Sequence, residues 1–281
     1  LLASGVGRGD HVAILAKNSP EYATAYFGCP AAGAILTCVN YRLSERELVY
    51  VLGDCEARVL LLDAEFGDTW QRIAHECPRI EHVVLLGDGQ RERTTPWREF
   101  LAGRPARPPD LELHEDDVAL QMYTSGTTGV PKGAMLTHRN LLHNSISAVI
   151  GIPITPSDTN LISAPFYHMA AGLNLILTLL LGARVLVHRD FNPSELLEDI
   201  EKRKVTHSLL IPAMLLFLLR MPGLEKRDLS SLKGIIYGAS PIPLEVLRHA
   251  LQVFDCGFYQ AYGQTEGTAV FTILNADDHR I

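Results

Sequence analysis

Short apolar runs rich in β-branched residues alternate along this chain with longer stretches of helical spacing. That order usually gives a mostly parallel sheet covered by helices. The runs HVAIL (11–15), RVLLLD (58–63), HVVLL (82–86), VALQMY (118–123), ARVLV (183–187) and GIIY (234–237) read as strands. SERELVYVL puts Ser44 at a helix N-cap and Glu47 three residues later, a capping box, with Leu48, Val51 and Leu52 along one face. A second helix is predicted after Thr137, through RNLLHNSISAVI. The most hydrophobic stretch, Ala170 to Ala183, is shorter than the roughly 20 residues a membrane span needs and is interrupted by Asn174, so it reads as a buried helix. Residues 87–110 are polar and turn-rich, with Pro96, Pro105, Pro108 and Pro109 among arginines; they read as a surface connection between sublobes 1–110 and 111–281.

Composition narrows the classes. With 281 residues, 47% hydrophobic and 20% charged, the chain is long enough for one large domain or two modest ones, and disorder is not expected. A net charge of −7 argues against a nucleic-acid partner or broad attraction to an anionic membrane, so any anionic ligand must meet locally arranged donors. The five cysteines, at 29, 38, 55, 77 and 256, form no CxxC pair and read as reduced thiols. The opening LLASGVGRGDHVAIL lacks the order of a signal peptide, which with the thiols points to the cytoplasm. No transmembrane segment is predicted; peripheral membrane contact and oligomeric state stay open.

Chemistry concentrates in YTSGTTGVPKG, residues 123–133. It follows a predicted strand and precedes a second β segment, GAMLTH, so the loop falls at a strand end, where open α/β sheets bind ligands. Glycines 126, 129 and 133 allow backbone N–H groups to turn inward, and Thr124, Ser125, Thr127 and Thr128 add hydroxyl donors. Lys132 supplies a fixed positive charge, worth roughly 4 kcal/mol against a phosphate about 4 Å away at an effective dielectric near 20. A plain surface loop is the alternative, and four hydroxyls with a lysine weigh against it. The segment is not a Walker A sequence, because Lys132 is followed by glycine, and GVGRG (5–9) has the wrong spacing for a dinucleotide fingerprint.

YTSGTTGVPKG resembles the phosphate-binding signature of the adenylate-forming superfamily, which includes acyl-CoA synthetases, luciferases and nonribosomal peptide adenylation domains. Three further stretches resemble that family's motifs in its order: APFYHMAAG (164–172), YGASP (237–241) and YQAYGQTEG (259–267). The resemblance implies the N-terminal domain of such an enzyme, an α/β fold of mostly parallel sheets flanked by helices in an αβαβα layering. It covers nearly all residues present. The family's later ribose-binding aspartate, hinge and small C-terminal domain with its catalytic lysine are not expected in a sequence that ends at Ile281, shortly after YGQTEG. From this we expect the 281-residue polypeptide alone to bind nucleotide weakly and turn over poorly.

Residue by residue, the resemblance implies that Thr124, Ser125, Gly126, Thr127, Thr128, Gly129 and Lys132 bind ATP phosphates, and that Gly238, Ala239 and Ser240 form one wall of the adenine site. It implies that Tyr262 stacks on adenine, with Gln260 near the base and Gly263 beside it, that Thr265 contacts the α-phosphate and that Glu266 binds Mg²⁺. Taken alone, Glu266 would pass for a solvated loop acid and the GAS segment for a strand-to-helix turn. His168 would pass for a structural histidine; the resemblance implies that it lines the acyl site and gates the passage to the thiol acceptor. Met169, Ala170, Gly172 and Tyr237 would border the substrate. His138, in LTHRN, reads as a structural residue at a helix start.

The implied activity is ATP-dependent conversion of a carboxylic acid, fatty or otherwise hydrophobic, to acyl-AMP with release of pyrophosphate, followed by transfer to CoA. NYRLSERELVYVLGDCEARVLLLD looks closer to acyl-CoA synthetases than to carrier-protein-loading domains. The other readings are such a loading domain, a luciferase-like enzyme, and a noncatalytic nucleotide-binding homologue; the presence of both Lys132 and Glu266 weighs against the last.

Overall fold

The computed structural model describes residues 1–87, 89–107, 109–125 and 129–279, and the chain divides into two compact units, Leu1–Arg139 and Asn140–Ile281. Among the described residues each unit is built on one mostly parallel sheet flanked by helices.

In the first unit the strands are β1 (His11–Leu15), β2 (Ile35–Cys38), β3 (Val59–Asp63), β4 (His82–Leu86), β5 (Thr95–Pro96), β6 (Val118–Thr124) and β7 (Lys132–Thr137). Their order is β5-β4-β3-β1-β2-β6-β7, and the β6/β7 pair is antiparallel while the others are parallel. The helices are α1 (Pro20–Ala31), α2 (Glu45–Asp54), α3 (Gly67–Ile73) and α4 (Trp97–Leu101). The described residues of the turn-rich segment, 89–107 among them, lie inside this unit.

Local sequence chooses these elements. Pro20 opens α1 behind Ser19, whose hydroxyl accepts from Tyr22 N at 3.1 Å, because a first-turn proline gives up a donor that has no intrahelical partner. The expected capping box opens α2: Ser44 N donates to Glu47 Oε2 at 2.8 Å and Glu47 N to Ser44 Oγ at 3.4 Å. Leu48, Val51 and Leu52 on the inner face of α2 are buried with Ala13 and Leu15 of β1 and Leu60 and Leu62 of β3. Each such leucine contributes about 1.5–3 kcal/mol through burial. All five residues of β3 are buried, as a parallel strand covered on both faces requires.

Helix α5 (His138–Gly151) carries the chain from the first unit into the second. Its first residue is fixed through the backbone, His138 N donating to Asp117 O at 3.0 Å. The second unit then has β8 (Thr159–Ile162), β9 (Arg184–Val187), β10 (His207–Leu209), β11 (Gly234–Gly238), β12 (Gly257–Tyr262) and β13 (Thr272–Leu274). Their order is β13-β12-β11-β10-β8-β9, with β12/β13 as the antiparallel pair. Its remaining helices are α6 (Met169–Leu180), α7 (Pro193–Arg203), α8 (Pro212–Leu219) and α9 (Leu244–Phe254).

The apolar run after Ala170 forms α6, and Asn174 does not break it. Asn174 is buried, and the Asn160 amide of β8 donates to Asn174 Oδ1 at 2.5 Å and to Thr178 Oγ1 at 2.7 Å. The two polar positions on α6 therefore register the helix on its strand, since a buried amide without partners would cost about 1–3 kcal/mol. At the amino edge of this sheet the buried Asp158 pairs with Lys233 at 2.6 Å and accepts from Thr155 N at 2.8 Å. No helix among the described residues is long and apolar enough to cross a membrane.

Candidate active site

In the first unit, β1, β2, β3 and β6 run parallel, so Leu15, Cys38, Asp63 and Thr124 end at one edge, and the glycine and hydroxyl loop springs from that edge. The β6/β7 hairpin closes the loop, pairing Thr124 with Lys132 and Tyr123 with Gly133. Gly126, Thr127 and Thr128 lie outside the described residues. Of the other loop positions, Gly129 has φ +79°, a conformation that glycine adopts without the Cβ penalty. Lys132 is exposed and forms no ion pair among the described residues. Beneath the hairpin, Gln121 fills the space over Gly133, where a Cβ would stand 2.5 Å from the Gln121 amide nitrogen. Gln121 is held in turn by Thr37, whose hydroxyl donates to its carbonyl at 3.0 Å.

Two tyrosines tie the loop shoulders to α2. Tyr123 donates to Asp54 Oδ2 at 2.5 Å, and Tyr50 donates to the Pro131 carbonyl at 3.3 Å. Burial, aided by the Asp54 contact, pushes the Tyr123 phenol well above its ordinary value and keeps it a donor.

In the second unit, β8, β10, β11 and β12 are parallel, and the sequence-predicted segments all leave their carboxyl edge. After β8 the chain reaches His168, which stands exposed just before α6 with its ring 4.4 Å from that of Tyr167. Met169, Ala171 and Gly172, in the first turn of α6, are buried, and Ala170 is half-buried. After β11 come Ala239 and Ser240, both exposed, with Ala239 at φ +64°. After β12 come Gly263 and the single turn Thr265–Gly267, which presents Glu266 to solvent with Thr265 half-buried beside it.

Close backbone approach shapes this edge. A Cβ on Gly238 would stand 2.1 Å from the Ala261 carbonyl oxygen, and one on Gly263 would stand 1.8 Å from that of Ala269. Thr268 and Ala269 also take positive φ, 63° and 84°; such backbone costs of order 1–3 kcal/mol per residue and persists where its surroundings enforce it. Tyr262 is 68% exposed, its ring edge-on to Phe271 at 6.3 Å, so one aromatic face is open to stacking. Gln260, two residues before it on β12, is half-buried.

Tyr237 differs in character: it is buried and its hydroxyl lies 2.9 Å from His279 Nε2. His279 Nδ1 lies 2.7 Å from the Asn275 carbonyl, which can only accept, so Nε2 accepts and Tyr237 donates. Burial pushes the Tyr237 phenol up to about 12.

Two supporting groups carry no signal in local sequence. Asn144 of α5 donates to Gly267 O at 3.3 Å and to Val270 O at 2.8 Å, bracing the turn that carries Glu266. Tyr50 reads in sequence as one polar position of an amphipathic helix, and only its fold partner reveals its use.

No group of three His, Cys, Asp or Glu side chains suited to a metal occurs among the described residues. The exposed carboxylate of Glu266 fits Mg²⁺, which keeps several waters and is usually held by one or two carboxylates together with substrate phosphates. A cavity of about 660 Å³ in the first unit is lined by residues including Leu2, Cys29, Leu61, Trp97 and Phe100, and none of the sequence-predicted site residues borders it.

Comparison with known proteins agrees with this geometry. The chain is 37% identical over 278 residues to a feruloyl-CoA synthase from Amycolatopsis sp, covering 98% of this chain and 53% of that protein. It is 33% identical to the fatty acid–[acyl-carrier-protein] ligase ScoC of Streptomyces coeruleorubidus, over 95% of this chain and 50% of that one. Among solved structures, the anthranilate CoA ligase AuaEII in complex with anthranoyl-AMP superposes with a TM-score of 0.92 at 27% identity, over 97% of this chain and 53% of that one. The chain thus spans about half the length of the curated relatives it matches. The family model described as AMP-binding enzyme matches residues 1–281, and the chain belongs to that family.

Proposed function

We propose that the protein activates a carboxylic acid with ATP to give acyl-AMP and pyrophosphate, and then passes the acyl group to the thiol of CoA. The observation that carries this reading is the emergence of His168, Gly238–Ser240 and Tyr262–Glu266 at one carboxyl edge of a parallel sheet, in a chain of the AMP-binding family whose other sheet ends in a hydroxyl-rich loop with Lys132. Because the chain spans about half of its relatives' length, the activity is proposed for the whole protein, and the 281-residue polypeptide assayed alone is expected to bind nucleotide weakly and turn over slowly.

The chemistry follows from the leaving group. A carboxylate reacts poorly with a thiol because oxide would have to leave. When a carboxylate oxygen attacks the α-phosphorus of ATP, the bond to the β-phosphate oxygen breaks and pyrophosphate departs. The CoA thiolate then adds to the acyl carbon, and AMP leaves as the tetrahedral adduct collapses. Catalysis of this kind depends on positioning and charge neutralisation. In our reading Lys132, Thr124, Ser125, Gly126, Thr127, Thr128 and Gly129 hold the phosphates and Thr265 contacts the α-phosphate. Tyr262 stacks on adenine, against the wall of Gly238, Ala239 and Ser240, with Gln260 and Gly263 near the base. Mg²⁺ held by Glu266 would neutralise phosphate charge.

For the acid, a hydrophobic chain or aryl group suits the small first-turn residues Ala170 and Gly172 beside Met169; in our reading Tyr237 also borders the substrate and His168 stands at the passage to the thiol. A carrier-protein thiol is the second acceptor reading, favoured by the 33% identity to a ligase of that kind. Pyrophosphate release measured with fatty and aryl acids, with CoA and an acyl carrier protein offered in parallel, tests both. We expect acid-dependent release with thioester formed on CoA; thioester on the carrier protein alone would replace the first acceptor by the second, and no acid-dependent release would refute the function.

A further inference from the structure

Tyr50 and Asp54 are four residues apart on α2 and so share one helix face. From that face they reach opposite shoulders of the loop. Asp54 accepts from Tyr123, the residue before the last of β6, and Tyr50 donates to the carbonyl of Pro131, the residue before β7 begins. The ladder between these shoulders joins Thr124 to Lys132, so whatever fixes Tyr123 and Pro131 also fixes the root of Lys132.

The brace is itself rigid. Helix α2 is capped by the reciprocal Ser44 and Glu47 contacts and anchored by buried Leu48, Val51 and Leu52, and the Tyr123 ring packs against the same cluster. On the other side Gln121 fills the space over Gly133. A loop that must order itself around a polyphosphate loses binding free energy to that ordering, and fixing its ends beforehand reduces the loss.

We propose that Tyr50, Asp54 and Tyr123 form a clamp through which α2 positions Lys132 for the polyphosphate of ATP. These are positioning residues, and the inference rests on the ATP reading above. The three side chains act on nucleotide binding and leave the acid site untouched.

The test uses the whole protein with Tyr50→Phe, Tyr123→Phe, Asp54→Ala and Asp54→Asn, and measures KM for ATP and for the acid separately by pyrophosphate release. Lys132→Ala runs beside them as the check on the underlying reading. Loss of one such hydrogen bond should raise KM for ATP roughly threefold to tenfold in Tyr123→Phe and Asp54→Ala, and less in Tyr50→Phe, whose bond is longer. KM for the acid should stay constant. Asp54→Asn retains an acceptor and should restore most of the ATP affinity, and Tyr123→Phe combined with Asp54→Ala should be no worse than either alone. If Lys132→Ala weakens ATP use while the clamp variants leave KM for ATP unchanged, or raise both KM values equally, the clamp is overturned and the ATP reading stands. If Lys132→Ala changes nothing, the reading beneath the clamp falls as well.

Discussion

Gly238, the last residue of β11, lies so close to its register partner on β12 that a Cβ would stand 2.1 Å from the carbonyl oxygen of Ala261. Backbone, unlike a flexible side chain, cannot swing aside, so Gly238→Ala must move one strand end against the other. We expect a loss of about 1–3 kcal/mol in urea unfolding, with ATP affinity falling at the same time because Ala239 and Ser240 follow directly. Retained ATP affinity in the destabilised variant would separate this edge from adenine binding.

Asn144 gives a second outcome. Its amide bonds to the carbonyls of Gly267 and Val270 hold the turn that presents Glu266, and no other role for the side chain is needed. Asn144→Ala should cost about 1–2 kcal/mol and raise the Mg²⁺ concentration needed for half-maximal pyrophosphate release. A Mg²⁺ titration identical to that of the parent protein would contradict the link to Glu266.

Acid should weaken the fold in two steps. His207 is fully buried, and burial pushes it down from the ordinary histidine value. Burial also opposes ionisation of Asp158, yet Lys233 and Thr155 outweigh it and hold the carboxyl well below the usual carboxylate range. In both cases the unfolded chain binds more protons than the folded one, so stability falls as pH falls. The loss begins below about pH 6.5 for the histidine and below about 3.9 for the aspartate, the unfolded values. Urea midpoints across this range check the sequence of events; Asp158→Asn should remove the second step and deepen the first, because the Asp158 charge favours protonated His207.

The strands that sequence revealed are those whose apolar runs are long enough to show: β1 and β4 match their expected bounds, while β3, β6, β9 and β11 differ by one residue at one end. The strands it concealed are short or compositionally mixed. β8, TNLI, and β10, HSL, carry Asn160, His207 and Ser208 in fully buried positions; polar residues there signal a loop until their partners on neighbouring elements are known. β12, GFYQAY, was hidden beneath a motif read for its chemistry. The buried helix expected after Ala170 forms as α6, but that its one amide, Asn174, is a fastening point shows only through Asn160 across the packing interface.

The candidate site can be proposed from sequence where spacing alone carries chemistry, as in the glycines, hydroxyls and lysine of residues 124–133. Asn144, Tyr50 and Asp54 were illegible because their use depends on elements far away in sequence. The close approach of Gly238 to Ala261 likewise depends on a strand pairing that no local pattern announces.

The most direct measurement of the central claim is acid-dependent exchange of pyrophosphate into ATP by the whole protein carrying Lys132→Ala or Glu266→Gln. The account predicts a fall of about a hundredfold or more for Lys132→Ala, in line with removing a group that stabilises developing phosphate charge, and for Glu266→Gln a partial loss relieved by higher Mg²⁺. Exchange at the parent rate in both variants would contradict it.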